Sequence, residues 1–127
     1  MRPAALAALL LLGGCYRPEQ ATPPIIDYVV TFRGDSSDLD ASGRSVLDAA
    51  AATAGAHPDA SLRVVGFADP ARAAESVQIL SRLRAQAVAD ALLAHGIGKA
   101  RLELRYHTAY GADPGVESRR VDIVFRR

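Results

Sequence analysis

The sequence predicts an α+β domain in which helices pack on a mixed four-stranded sheet to form two layers. Four short stretches are rich in β-branched residues or alternate between apolar and polar side chains, as strands do. Two longer alanine-rich stretches lie between them and carry helical periodicity. Because the order is βαβαβ followed by a last strand, parallel strand pairs joined by helices are expected in the sheet. The 127 residues are 50% hydrophobic, which suffices for one domain core.

The first half of the domain supplies two strands and one helix. Residues 25–33 (IIDYVVTFR) are predicted to form the first strand, because β-branched and aromatic side chains favour extended backbone. Residues 39–56 are predicted to form the first helix, with Val46 and Leu47 as its main core contacts. Residues 61–67 follow as the second strand, after a turn that contains glycine and proline.

The second half supplies one long helix and two strands. Residues 70–94 are predicted to be helical, with Asp69 as the N-cap and Gly96 at the C′ position. Residues 101–107 and 119–126 alternate with a period of two and are predicted to be the third and fourth strands. If these two strands pair directly, the loop between them favours an antiparallel arrangement. The strand order is left open at this point.

The N-terminal segment has the features of a bacterial lipoprotein signal peptide. Residues 1–14 combine a basic start with an apolar run that is too short to span a bilayer permanently. The sequence LGGC, which ends at Cys15, resembles the lipobox of bacterial lipoproteins, and this resemblance implies a lipid-modified cysteine at the mature N-terminus. Tyr16, in place of an aspartate, then implies sorting to the outer membrane. Residues 15–24 are predicted to be the lipidated cysteine and a short linker; an ordinary secretory peptide is the alternative.

An arginine interrupts the apolar stripe of the second helix. Leu80, Arg84, Val88 and Leu92 recur at a spacing of four and therefore share one face. A guanidinium stays charged, so Arg84 must reach solvent or an anion. Asp69, at the end of the preceding strand, is expected nearby, and such an acid and base suit a ligand with both an ammonium and a carboxylate group, the latter held by a bidentate contact. Alternatively, Asp69 caps the helix and Arg84 extends to solvent.

Five blocks of the sequence resemble, in order, the C-terminal domain of OmpA-like proteins, a family that includes the peptidoglycan-associated lipoproteins. The blocks are residues 32–39 (FRGDSSDL), 66–69 (GFAD), 80–92 (LSRLRAQAVADAL), 96–97 (GI) and 119–123 (RRVDI). The resemblance covers residues 25–127 and implies a noncatalytic domain that holds peptidoglycan through the diaminopimelate of its stem peptide. It assigns the binding acid to Asp69 and the binding arginine to Arg84. It also places Asp35 beside the ligand and matches Arg120 to an arginine of the last motif.

The chain departs from the family pattern at several positions near these residues. The departures are Gly34 for an aromatic residue, Ala68 for threonine, Val77 for asparagine, Arg82 for an acid and Leu83 for an arginine. Loss of two or three hydrogen bonds would weaken a ligand by about one to three orders of magnitude. The acid and the arginine themselves are both present.

Other kinds of chemistry find little support in the sequence. The three histidines lack metal-ligand spacing, and neither a serine-nucleophile motif nor a phosphate-binding glycine loop is present, so neither a metal, a cofactor nor an enzyme activity is expected. The net charge of +1 falls to zero once Arg2 leaves with the signal peptide, which argues against nucleic acid as a partner. Two hypotheses remain. The first is an outer-membrane lipoprotein that faces the periplasm and binds peptidoglycan; the alternative is an OmpA-like scaffold that binds other envelope proteins without binding the wall.

Overall fold

The computed structural model describes residues 13–14, 25–69, 74–108 and 118–126. These described residues contain four strands and two α-helices, in the predicted order. The strands are β1 (Ile25–Thr31), β2 (Ser61–Ala68), β3 (Leu102–Thr108) and β4 (Arg120–Arg126), and the helices are α1 (Ala41–Ala56) and α2 (Ala74–Ala94). A short 3₁₀ helix, Lys99–Arg101, precedes β3. Cys15, the linker and the predicted first turn of the second helix lie outside the described residues.

The four strands form one mixed sheet in the order β1-β4-β2-β3. Strand β4 lies between β1 and β2 and is antiparallel to both, whereas β3 pairs with β2 in parallel. The predicted third and fourth strands therefore do not pair directly, because β2 separates them. The α+β class and the mixed four-stranded sheet are confirmed.

Both helices pack on the same face of the sheet. The core between the two layers combines α1 residues such as Leu47 with α2 residues such as Val88 and with alternate residues of every strand. Val64, Val121 and Ile123 of the central strands are completely buried there. Alternation within each strand thus directs one set of side chains toward the helices and leaves the other set on the opposite face.

The helix ends are determined by local hydrogen bonds. Helix α1 begins two residues later than predicted, because Asp40 is its N-cap and its Oδ1 accepts a hydrogen bond from Gly43 N at 2.8 Å. Helix α2 ends at Ala94, and Gly96 takes the predicted C′ position with φ +90°. The Gly96 N–H donates to the Leu93 carbonyl, and the Ile97 N–H donates to the Leu92 carbonyl. This pair of bonds is a Schellman motif. No helix in the described part of the chain is long and apolar enough to cross a bilayer.

Helix α2 lies unusually close to the central strand β2, and Gly66 makes this possible. A Cβ atom at Gly66 would lie 2.1 Å from the carbonyl oxygen of Ser81 and 3.0 Å from Ala85 Cβ. Because the first contact is with backbone, a rotamer change cannot relieve it. The glycine therefore determines how closely the helix layer approaches the sheet.

The face of the sheet away from the helices carries charged side chains. Glu103 of β3 forms ion pairs with Arg63 of the neighbouring strand and with Arg105. The Arg63 hydrogen bond is the main cause of a pKa of Glu103 below its ordinary value, and the positive charge of Arg105 adds to the effect. On the same face, Arg120 pairs with Asp122 at 3.0 Å.

We expect Gly66→Ala to destabilise the fold by about 1–3 kcal/mol or more, because the methyl group forces α2 away from β2. Urea unfolding followed by circular dichroism measures the change. Gly55→Ala is the matched control: its Cβ would meet no atom within 4 Å, and alanine in a helix gains about 0.5–1 kcal/mol over glycine. Equal stability of the Gly66→Ala variant and the native chain would contradict the close packing.

The carboxyl group of Glu103 should titrate at a lower pH than in an unstructured peptide. Because its pKa is lowered on folding, its stabilising contribution is present above the unfolded pKa and is lost as the pH falls through the folded pKa. Carboxyl ¹³C NMR measures the midpoint, which should rise in Arg63→Gln. Arg44→Gln, a change on α1, should leave the titration midpoint of Glu103 unaltered. An equal midpoint in Arg63→Gln and in the native chain would show that Arg63 and Glu103 do not form their ion pair.

Candidate functional site

The carboxyl ends of β1 and β2 and the start of β4 lie at one edge of the sheet. Thr31 of β1 pairs with Arg120, and Gly66 of β2 pairs with Val121, so both strands end beside the beginning of β4. The loop after β1 and the residue after β2 therefore meet at this edge. This is the edge at which α/β sheets commonly bind ligands.

Arg84 of α2 binds both segments from the helix side. Its Nε donates to the Ser36 carbonyl at 2.8 Å and its Nη2 to the Gly34 carbonyl at 2.7 Å. Its Nη1 donates to the Phe67 carbonyl at 3.1 Å, and its Cζ lies 5.3 Å from the centre of the Phe32 ring. One guanidinium thus holds the β1–α1 loop against the end of β2.

Arg84 is completely buried, with 0% of its surface exposed. A guanidinium does not lose its proton, so burial requires that its N–H groups find acceptors. Three of its N–H groups are donated to backbone carbonyls of the β1–α1 loop and of β2. The alternative, in which Arg84 extends to solvent, does not hold.

The two predicted acids lie on the segments that Arg84 holds. Asp69 directly follows β2 and is partly exposed, two residues after the Phe67 carbonyl that Arg84 binds. Asp35 is exposed and lies between Gly34 and Ser36, whose carbonyls both bind Arg84. The structure therefore brings Asp35, Asp69 and Arg84 to one edge of the sheet.

Arg120, the fourth predicted binding residue, has its side chain on the other face of the sheet. Its Cζ lies 4.1 Å from the centre of the Phe67 ring, and its Nε donates to Asp122 at 3.0 Å. Because Val121 points into the core, its neighbour Arg120 points away from the helices. The structure does not place Arg120 with Arg84; the preceding residue, Arg119, has the helix-side position. The alternation of Val121, Ile123 and Phe125 was the sequence signal for this difference.

The departures from the family pattern fall in different environments. Ala68 and Val77 are buried, with 0% and 1% exposure, and Val77 replaces a polar side chain with an apolar one. Gly34 has φ +47°, a left-handed conformation that suits glycine, while its carbonyl accepts a bond from Arg84. Leu83 is half exposed. Arg82 donates to the Tyr106 hydroxyl and is also exposed.

The described residues contain no group of three or more potential ligands that could hold a metal ion. His95, at the end of α2, lies 3.0 Å from Asp48 of α1, so it has a carboxylate partner as well as the favourable helix dipole. This contact lies beside a shallow cleft between the helices, lined by Leu39, Leu47 and Ala91 among others. The residues named above as contacts of Arg84 do not line this cleft.

Comparison with known proteins agrees with this fold. The sequence model of the OmpA family matches residues 31–124. Among solved structures, the peptidoglycan-associated lipoprotein from Burkholderia pseudomallei is 27% identical, with a TM-score of 0.71 over 78% of this chain and 90% of that chain. The OmpA-like domain of FopA1 from Francisella tularensis is 21% identical, with a TM-score of 0.68 over 77% and 70% of the two chains.

A more distant structure shares the fold alone. The periplasmic domain of Helicobacter pylori MotB is 18% identical, with a TM-score of 0.62 over 75% of this chain and 69% of that chain. No curated protein sequence matches. Since the family model covers most of the chain, this protein belongs to the OmpA family.

Proposed function

We propose that the protein is an outer-membrane lipoprotein that binds peptidoglycan non-covalently through the diaminopimelate of the stem peptide. In this proposal, Asp69 accepts hydrogen bonds from the ammonium group of diaminopimelate. Arg84 fixes the loop that carries Asp35 and supplies positive charge behind it. Arg120 acts indirectly, by holding Phe67 from the open face. The domain binds its ligand without catalysing a reaction on it.

The observation that carries this proposal is the position of Arg84. Its three carbonyl acceptors belong to the β1–α1 loop and to β2. The shared guanidinium therefore brings together two segments whose acids are 34 residues apart in the sequence. A buried cation with acidic side chains at the rim suits a ligand that itself carries both charges, because each ligand charge then meets an opposite one. The similarity to a peptidoglycan-associated lipoprotein adds support from outside the chain.

The direction of β1 suits an anchored protein. Ile25, where the predicted linker joins the domain, pairs with Phe125, whereas Thr31 pairs with Arg120 beside the site. The two ends of β1 are about 20 Å apart, at roughly 3.3 Å per residue. A lipid on Cys15 would therefore hold one edge of the sheet toward the membrane and leave the ligand edge facing the wall. Membrane attachment also raises the effective concentration of the wall for the domain, so modest affinity suffices.

We expect Asp69→Asn to reduce retention on purified diaminopimelate-containing sacculi by tenfold or more, because it removes a charge-assisted contact worth about 1.5–3 kcal/mol. A pulldown over a range of protein concentrations measures this. Asp59→Asn is the matched control: it makes the same change in an exposed aspartate at the opposite end of β2 and should bind as the native chain does. Equal retention of all three proteins would reject wall binding through this edge and favour the scaffold alternative.

We expect Arg84→Ala to destabilise the fold, in addition to any effect on ligand binding. The change leaves three carbonyls, those of Gly34, Ser36 and Phe67, without their donor, at a cost of about 3 kcal/mol or more in the free energy of unfolding. Thermal unfolding gives the shift. Arg82→Ala, an exposed position on the same helix, should cost less than about 1 kcal/mol. A fully stable Arg84→Ala variant would mean that the loop and β2 are held by other contacts.

A further inference from the structure

We infer that the outer edge of β3 is a self-association site, at which a second copy of this chain adds its own β3 strand in antiparallel orientation. The two four-stranded sheets then become one continuous sheet. The contact uses residues 102–106 and none of the groups assigned to wall binding, so it does not depend on the proposed function.

Strand β3 is the last strand on its side of the sheet. It pairs in parallel with β2, and no strand among the described residues lies beyond it. Alternate N–H and C=O groups of β3 therefore point away from β2. In the part of the chain that the structure describes, no loop or turn forms a backbone hydrogen bond with residues 103–108. The outer edge of β3 thus has the hydrogen-bonding groups that an added strand needs.

The sequence of β3, LELRYHT, is complementary to itself when two copies run antiparallel. If Leu104 lies opposite Leu104 of the second copy, then Glu103 lies opposite Arg105 and Leu102 lies opposite Tyr106. Opposed residues of an antiparallel pair share a face and contact each other. Because a two-fold axis relates the copies, each of these contacts forms twice.

The charges select both the edge and the register. A two-fold axis moved from Leu104 to Glu103 would place Glu103 opposite itself, and an axis at Arg105 would place Arg105 opposite itself. Like charges that lie directly opposite each other destabilise a strand pair. Strand β1, at the other edge of the sheet, reads IIDYVVT and has a single charged residue, so self-pairing there brings no opposite charges together.

The two charged residues are accessible to a second chain. Arg105 is exposed and Glu103 is partly exposed, on the face of the sheet away from the helices. Within one chain, Glu103 already pairs with Arg63 and Arg105. A carboxylate has about four lone-pair sites, so it can accept a further arginine from the second copy. The ion pairs of the two chains then form one network, which is worth more than isolated surface pairs.

The helix side of the same edge carries exposed apolar side chains. Tyr106 is 42% exposed and Leu93 of α2 is 38% exposed. Arg82 of α2 lies over Tyr106, with its Cζ 5.2 Å from the ring centre. Leu93 follows Arg82 by about three helical turns and therefore lies on the same side of α2, toward the start of β3. Since Leu102 at that start lies opposite Tyr106 of the second copy, pairing brings Leu93 and Tyr106 together and covers both.

The arrangement has a consequence for the site at the carboxyl end of β2. Because the two β3 strands are antiparallel and β2 is parallel to β3 in each chain, the two sites of the dimer face opposite directions. If both chains are anchored in one membrane, association leaves only one site facing the wall.

The test uses the native chain and two variants that should pair poorly with themselves. Glu103→Lys places a cation opposite Arg105 of the second copy, and Arg105→Glu places an anion opposite Glu103. Sedimentation equilibrium over a range of concentrations should show a monomer–dimer equilibrium for the native chain. Each variant alone should associate about tenfold more weakly or less than that, because two attractive pairs become repulsive. Circular dichroism checks that both variants keep the fold.

An equimolar mixture of the two variants makes the result specific. In a mixed pair, the cation at position 103 of one chain lies opposite the anion at position 105 of the other, and Arg105 of the first lies opposite Glu103 of the second. The mixture should therefore associate almost as strongly as the native chain, which a folding defect in either variant would prevent. Val29→Glu, which adds a charge at the exposed position of the other edge strand, should dimerise as the native chain does.

Three results would overturn the inference. The first is a native chain that stays monomeric at every concentration. The second is a mixture that associates no more strongly than its two components do alone. The third is association that is lost in Val29→Glu and kept in Arg105→Glu, since this would place the contact on β1.

Discussion

The guanidinium of Arg84 connects parts of the chain that are 48 and 50 residues away in sequence. Its charge cannot be removed, so the fold has to supply acceptors around it, and it does so with carbonyls of the β1–α1 loop and of β2. Satisfying one buried cation therefore determines how the loop that contains Asp35 lies against the end of β2, which Asp69 follows. Arg101 does the same at the opposite edge, where it holds carbonyls near the end of α1.

The fold class, the element order and the helix-ending glycine could be predicted from alternation, periodicity and turn residues. The anomaly at Arg84 was also visible, because a charged residue on an apolar stripe breaks the pattern. The carbonyl groups that accept hydrogen bonds from Arg84 could not be predicted. Every residue has a carbonyl group, and no side-chain pattern identifies which of them surround the guanidinium. The strand order could not be predicted either. The alternation of apolar and polar side chains along a strand is the same whichever strand lies beside it in the sheet. Two adjacent arginines, Arg119 and Arg120, look equivalent in a motif, and only the register separates their faces.

Part of the alanine content of the chain lies between the two layers. Small residues occupy buried positions of the two layers, among them Ala50, Ala54 and Ala85, and Gly66 lies directly against the backbone of α2. Close approach gains dispersion contacts between backbones but leaves little room for adjustment. The same closeness brings Arg84, one helical turn beyond Ser81, within reach of the β2 carbonyls. A larger side chain at the interface would therefore disturb the site as well as the core.

The antiparallel pairing of β1 with β4 has a mechanical consequence. The hydrogen bonds between the two strands lie perpendicular to the strand direction. The paired residues of β1 extend from Ile25 to Thr31. Tension applied between the start of β1 and the opposite edge would act along the strand and load these bonds together, in shear. Tension applied across the strands would instead open them one at a time, as a zipper opens. Force applied between Ile25 and the edge that Asp69 adjoins thus acts on the β1–β4 hydrogen bonds together and not in succession.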